Sequence, residues 1–231
     1  MKEQIILKVV VGSWAHGLAT PESDHDYRGV FVTPTSELLK INGSSKTTHW
    51  VEGKEDDTSW ELGHFLNLAV HCNPTILETF LAPWTETGWK TCAIFNDGTN
   101  VGDELRKLFP YVWNSNDVKN AFIGYGLNQR KKFLDNKDAK PNKFAAAYLR
   151  SLYNAWELLK TGTLTIRIID TPIGETVRRF KNGNYKRGEV IDECWHWEQE
   201  VNRAFAENPD KEANLEPVNE FLLRVRKEFW D

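Results

Sequence analysis

The sequence predicts an α+β fold, with a mixed sheet and helices in the N-terminal half and an α-helical C-terminal half. Short β-branched runs such as IILKVVV occur within the first 60 residues, and such runs are typical of buried strands. Beyond about residue 115, apolar side chains recur instead at the spacing of amphipathic helices. We therefore predict two domains, a domain that carries the chemistry at 1–115 and a helical domain at 116–231.

The predicted sheet begins with a buried strand over residues 5–11. A short helical turn is predicted over 14–19, because Thr20-Pro21 stops it. A second strand is predicted over 25–33, and a hairpin over 46–60 with Gly53-Lys54 at its turn.

The predicted helices follow from apolar spacing and from capping residues. Asn73-Pro74 is typical of an N-cap followed by a first-turn proline, and Gly162 is typical of a helix C-terminus. Residues 163–169 are compatible with either a strand or an extended connector. We predict helices over residues 61–71, 74–81, 116–135, 141–161, 187–207 and 215–230.

Composition argues against a membrane-spanning or secreted protein. The apolar run near the N-terminus is too short for a membrane span and lacks a signal-peptide cleavage pattern. Three widely spaced cysteines form neither a zinc pattern nor a disulfide framework. We therefore expect a cytoplasmic protein without membrane partners, in the host cytoplasm if it is phage-encoded.

Charge is unevenly distributed along the chain. The formal net charge is −4, yet residues 119–150 contain eight Lys or Arg side chains against two Asp. Such asymmetry indicates an anion-binding segment facing an acidic segment, although a solvated basic helix face explains the basic run equally well.

The most informative stretch is residues 12–32, GSWAHGLATPESDHDYRGVFV. A strand that ends in Gly12-Ser13 and enters a helical turn leaves backbone N–H groups and a hydroxyl available to an anion. Asp24 and Asp26 follow at i and i+2, so on a strand they point to the same side. Two carboxylates so close repel each other, and a divalent cation such as Mg²⁺ relieves that repulsion. These features together indicate a site for a metal–triphosphate complex.

The Gly-Ser element followed by Asp-x-Asp resembles the signature of the DNA polymerase β superfamily of nucleotidyltransferases. More narrowly, Gly12-Ser13-x-Ala15-x-Gly17 and Ser23-Asp24-x-Asp26-x-x-Gly29-Val30 resemble a family of predicted bacterial and phage nucleotidyltransferases. The similarity extends weakly to about residue 190 through Asp56-x-Thr58, Asn73-Pro74, Leu77-Glu78, Lys143, Arg150, Leu159 and Thr161-Gly162.

The resemblance implies transfer of a nucleoside monophosphate from a nucleoside triphosphate (NTP) to an acceptor hydroxyl, with release of pyrophosphate. Asp24 and Asp26 would bridge two Mg²⁺ (or Mn²⁺) ions about 3.5–4 Å apart. Asp56 would bind the second ion and help to take the acceptor proton, while Gly12 and Ser13 would hold the phosphates.

Several alternatives stay open at this stage. Asp57 adjoins Asp56, and a register change of one residue would exchange their faces; family spacing favours Asp56. Lys143 and Arg150 lie seven residues apart on one helix face, where they would reach a phosphate or simply face solvent.

The acceptor is also open between RNA, a protein and a small molecule. The basic segment favours a phosphate-bearing acceptor such as RNA, whereas the net acidity favours the other two. Two other functions compete with transfer: a nucleotide-binding regulatory module without turnover, and a metal-dependent phosphohydrolase.

Overall fold

The computed structural model describes residues 3–41, 47–51 and 56–231, and a mixed four-stranded sheet lies in its N-terminal half. The strands are β1 (Gln4–Val11), β2 (Asp26–Val32), β3 (Thr48–Val51) and β4 (Asp57–Glu61). Their spatial order is β1-β2-β4-β3; β2 and β4 are parallel, and the other two pairs are antiparallel. The predicted α+β class is therefore confirmed. The turn predicted at residues 53–54 lies outside the described residues.

Helices make up most of the remaining described chain, and none of them is both long enough and apolar enough to cross a membrane. They are α1 (Gly12–Ala15), α2 (Thr35–Leu38), α3 (Leu62–Val70), α4 (Pro74–Leu81), α5 (Gly88–Thr91), α6 (Val101–Arg106), α7 (Phe109–Val112), α8 (Ser115–Leu134), α9 (Pro141–Thr161), α10 (Gly174–Lys181), α11 (Arg187–Glu207) and α12 (Leu215–Glu228).

Capping residues explain where the well-predicted helices begin and end. The side chain of Asn73 accepts hydrogen bonds from the backbone N–H groups of Thr75 and Ile76 at the start of α4. Gly162 ends α9 in the left-handed conformation at φ 74°, which glycine adopts without a steric penalty. The predictions of α9 and α11 are confirmed at both ends.

Other elements differ from the prediction. The first helical turn lies at α1 rather than at 14–19. Of the two alternatives left open for residues 163–169, the structure has the connector, which ends in a 3₁₀ turn at Ile168–Asp170. The prediction omitted five helices, of which three have only four residues and are too short to show a helical period; the five are α2, α5, α6, α7 and α10.

The sheet packs against helices from both halves of the chain. One hydrophobic cluster combines strand residues such as Val9 and Val30 with Phe65 of α3, Phe122 of α8 and Leu158 of α9. A second cluster joins α8, α9, α10 and α11. Helix α9 contributes to both clusters, so it fixes the helical half against the sheet. The division into domains at 1–115 and 116–231 stays a prediction.

Candidate active site

The turn after β1 brings Gly12 against the first acidic strand. Gly12 has a φ of +65°, and a Cβ atom at this position would collide with the carboxylate of Asp26. Glycine therefore lets the chain turn from β1 into α1 here without strain and without displacing the carboxylate of Asp26. The result places Ser13 and the neighbouring backbone N–H groups beside Asp26.

Sheet pairing then brings a second carboxylate to Asp26. Asp56 directly precedes β4, and its carbonyl oxygen accepts a 2.7 Å hydrogen bond from the backbone N–H of Tyr27. Since β2 and β4 are parallel neighbours, Asp26 and Asp56 lie at the same end of the sheet. Burial and the carboxylates of Asp56 and Asp24 raise the pKa of Asp26, although Lys143 and Arg28 partly offset this.

Asp56 and Asp57 belong to different environments. The Nζ atom of Lys8 lies 2.5 Å from Oδ2 of Asp57. An Nη2 atom of Arg28 lies 3.3 Å from Oδ2 of Asp56. Asp56 is thus the acid whose charge helps to raise the pKa of Asp26, whereas Asp57 forms a separate ion pair with Lys8 of β1.

The acidic residues do not form a closed metal site as they stand. Among the described residues, no three His, Cys, Asp or Glu side chains are grouped so that they could hold a metal ion. Asp24 is exposed on the segment before β2, whereas Asp26 is half-buried at its first position. The geometry therefore pairs Asp26 with Asp56 and leaves Asp24 next to the pair without completing a ligand shell.

A cleft of about 590 Å³ opens between the helical half and two of these acids, Asp24 and Asp26, which we call the acidic row. One wall holds Gly12, Ser13, Asp24 and Asp26, and the facing wall is cationic. That wall contains Lys140, Lys143, Arg150 and Lys181. The cleft therefore offers carboxylates on one side and cations on the other.

Arg150, predicted to bind phosphate or face solvent, contacts a buried acid at the edge of the cleft. Its Nη1 atom donates to Oε2 of Glu78 at 3.1 Å, and His16 contacts Oε1 of the same carboxylate. Burial and Arg150 lower the pKa of His16. Burial alone would raise the pKa of Glu78, but Arg150 and His16 outweigh it and hold that pKa well below its usual range. The ionised carboxylate of Glu78 thus accepts hydrogen bonds from both Arg150 and His16.

Residues 1–169 match the model of the RNA repair pathway DNA polymerase beta family, RlaP. The chain belongs to this family. Membership places it in the DNA polymerase β superfamily, whose function is nucleotidyltransferase-like, so the resemblance drawn from the acidic motif is confirmed. No curated protein matches the chain. The match includes every site residue predicted from the sequence, from Gly12 to Arg150.

The cleft also receives a residue from beyond the part that matches the RlaP family. Lys181 lies on α10 and donates from Nζ to the carbonyl oxygen of Leu18 at 2.6 Å. Burial and the nearby Lys143 lower the pKa of Lys181, so two lysines share one side of the cleft at an electrostatic cost. Sequence reasoning missed this residue; its only signal was the basic composition of RRFK at the end of α10.

Proposed function

We propose that the chain transfers a nucleoside monophosphate from an NTP to a hydroxyl of an RNA acceptor, with release of pyrophosphate, in a metal-dependent reaction. One observation carries this proposal. Asp26 lies beside the Gly12–Ser13 turn and, with Asp24, lines a cleft whose opposite wall is cationic, while the neighbouring carboxylate of Asp56 raises the pKa of Asp26 together with burial. Carboxylates for a cation and cations for phosphates meet in one place.

The cleft is electrostatically suited to a triphosphate. Lys143 and Lys181 repel each other on the cationic wall, and a bound polyphosphate would offset that repulsion. Ser13 and adjacent backbone N–H groups would donate to the phosphate oxygens from the other wall. In phosphoryl transfer, positioning and charge stabilisation of this kind supply most of the rate enhancement.

The acidic residues fit Mg²⁺ or Mn²⁺ by their chemistry. Burial and the neighbouring carboxylates raise the pKa of Asp26, so a cation at this position would favour its ionised form, and hard cations prefer carboxylate oxygens. Asp24, Asp26 and Asp56 would hold the metal, and Asp24, being exposed, would reorient to complete the site. When bound, the metal would lower the pKa of the acceptor hydroxyl and neutralise charge on the reacting phosphate.

The acceptor hydroxyl would attack the α-phosphorus, forming a new phosphorus–oxygen bond as the bond to pyrophosphate breaks. Asp56 would help to accept the hydroxyl proton. We favour RNA as acceptor because the family model describes an RNA repair pathway.

A transfer assay with α-labelled NTPs tests the proposal. Single-stranded RNA with a free 3′ hydroxyl is incubated with each NTP and Mg²⁺ or Mn²⁺, with EDTA as the metal-free control. We expect labelled RNA and an equal amount of pyrophosphate, both lost with EDTA and in Asp26→Asn. Release of free nucleoside monophosphate in place of labelled RNA would instead identify a phosphohydrolase.

A second candidate is a nucleotide-binding module without turnover. It is favoured by one observation, namely that no three metal-binding side chains are grouped among the described residues. Calorimetry combined with a pyrophosphate assay discriminates the two functions. If the wild-type protein binds metal–NTP but releases no pyrophosphate in the presence of RNA, it is a binding module and not a transferase.

A further inference from the structure

Three aromatic side chains stack next to the carboxylates, and we call them the aromatic ladder: Trp14, His25 and Tyr27. The rings of Trp14 and His25 are 4.6 Å apart between centroids, with an interplanar angle of 13°. His25 and Tyr27 follow at 6.3 Å and 17°. The three rings are therefore nearly parallel.

The ladder alternates with the acidic residues along the chain. Trp14 directly follows Ser13, and His25 lies between Asp24 and Asp26. Neither Trp14 nor His25 lines the cleft that contains Ser13, Asp24 and Asp26. The ladder thus lies next to Asp24 and Asp26 but outside the cleft that the cationic residues line.

Local hydrogen bonds hold the ladder in place. The indole N–H of Trp14 donates to the carbonyl oxygen of Ser23 at 3.3 Å. The Oγ atom of Ser23 accepts a hydrogen bond from the backbone N–H of Thr20 at 2.8 Å. The backbone N–H of Ser23 donates to the carbonyl oxygen of Thr20 at 2.9 Å. The loop before β2 and the Trp14 ring are therefore fixed relative to each other.

The Trp14 ring is nevertheless not a core residue. It is 40% exposed, compared with 3% for Trp113, and neither Trp14 nor His25 belongs to the two hydrophobic clusters. A flat, fixed and open aromatic ring is the surface on which proteins stack unpaired bases of single-stranded RNA.

We propose that Trp14, supported by His25, stacks the 3′-terminal base of a single-stranded RNA acceptor and so presents its terminal ribose to the acidic row. The identity of the acceptor rests on the function proposed above. In the proposed function the NTP would occupy the cleft, which Trp14 does not line, so its base would not compete for Trp14. Two nucleotides would then approach the carboxylates, one from the cleft and one from outside it.

Binding of RNA in EDTA, without NTP, tests the stacking site independently of turnover. Fluorescence anisotropy compares a labelled single-stranded RNA with the same strand whose 3′-terminal residue is abasic. The variants are Trp14→Ala, Trp14→Phe and His25→Ala, and the control is Trp195→Ala, which removes a 62% exposed tryptophan of α11. Circular dichroism verifies the fold of each variant.

We expect Trp14→Ala to weaken binding of the complete strand at least about fivefold, the lower limit for one base–aromatic stack, and to abolish its advantage over the abasic strand. Trp14→Phe should retain part of that advantage, and Trp195→Ala all of it.

Unchanged binding in Trp14→Ala, equal losses for both strands, or no measurable binding by the wild-type protein would each overturn the proposal. A rise in the KM for NTP with unchanged RNA binding would also overturn it, because the base on Trp14 would then be that of the NTP. If the wild-type protein shows this binding pattern but no transfer, the proposed function fails while the stacking site stands.

Discussion

Arg150 of α9 donates from Nη1 to Oε2 of Glu78 on α4 across 3.1 Å, and this contact links the helical wall of the cleft to the N-terminal half. Both side chains are largely buried, with 16% and 13% of their surfaces exposed. His16, three residues after Ser13, binds the other oxygen of Glu78. Glu78 therefore connects the segment that follows the Gly12–Ser13 turn to Arg150.

Replacing Glu78 should destabilise the protein. Glu78→Gln leaves the buried guanidinium of Arg150 without a counter-charge, and breaking such a pair costs about 3 kcal/mol of unfolding free energy. Urea unfolding at pH 7 measures the change. Glu175→Gln, which removes one partner of an exposed pair with Arg178, is the control and should leave the midpoint unchanged. Equal midpoints for Glu78→Gln and wild type would contradict this prediction.

The Glu78–Arg150 pair makes the free energy of unfolding depend on pH in the acidic range. The pKa of Glu78 is lower in the folded than in the unfolded protein, so below the ordinary glutamate pKa of about 4.3 the unfolded state binds more protons. The contribution of Glu78 is therefore complete above about pH 5 and is lost as the pH falls through the folded pKa. The difference in unfolding free energy between wild type and Glu78→Gln should be constant from pH 8 to 5 and shrink below that. A difference that persists undiminished to pH 3 would exclude this account of Glu78.

Gly12→Ala should reduce turnover more than it reduces stability. A left-handed φ costs an alanine about 1 kcal/mol, and here the added methyl group also displaces the carboxylate of Asp26. Gly98→Ala is a matched control, because Gly98 has a φ of +84° and no atom within 4 Å of its Cβ position. We expect a similar loss of stability in both variants, but a fall in kcat/KM of about 100-fold only in Gly12→Ala. Similar kcat/KM values for the two variants would contradict a role for the Gly12 contact.

Lys181→Met should weaken NTP binding. Loss of one charge-assisted contact to phosphate corresponds to roughly a tenfold rise in KM, and Lys181→Arg should restore part of it. Because the side chain also bonds to Leu18, thermal unfolding must show that Lys181→Met is folded at the assay temperature. Lys186→Met is the control, since Lys186 does not line the cleft. An unchanged KM for NTP in folded Lys181→Met would show that α10 does not contribute to phosphate binding.

Local signals explain which parts of the fold were predictable. Helix α9 has a proline at its first position, a long apolar stripe and Gly162 at its end, so both ends are encoded within the segment itself. Helix α10 has eight residues, of which only Val177 and Phe180 are buried and apolar. That pattern is too short to show a period, and the arrival of Lys181 in the cleft depends on how α10 packs against α9.

The acidic residues of the site also differ in how far the sequence could predict their arrangement. Asp24 and Asp26 were accessible to sequence reasoning because they lie two residues apart after a glycine–serine turn. The environments of Asp56 and Asp57 were not, because alternation fixes the face of a strand only once its pairing register is known. The register is set by the bond from Tyr27 N–H to the Asp56 carbonyl, a contact between residues 29 positions apart.

A comparison of the single variants Asp56→Asn and Asp57→Asn tests most directly whether the Asp26–Asp56 pair is the reaction centre. The measurement is the single-turnover rate of nucleotide transfer to RNA at saturating NTP and metal. We predict a loss of at least about 100-fold in Asp56→Asn and a change within about threefold in Asp57→Asn, because Asp57 pairs with Lys8 and such partly exposed pairs contribute little. Full activity in Asp56→Asn, or an equal loss in both variants, would contradict the account.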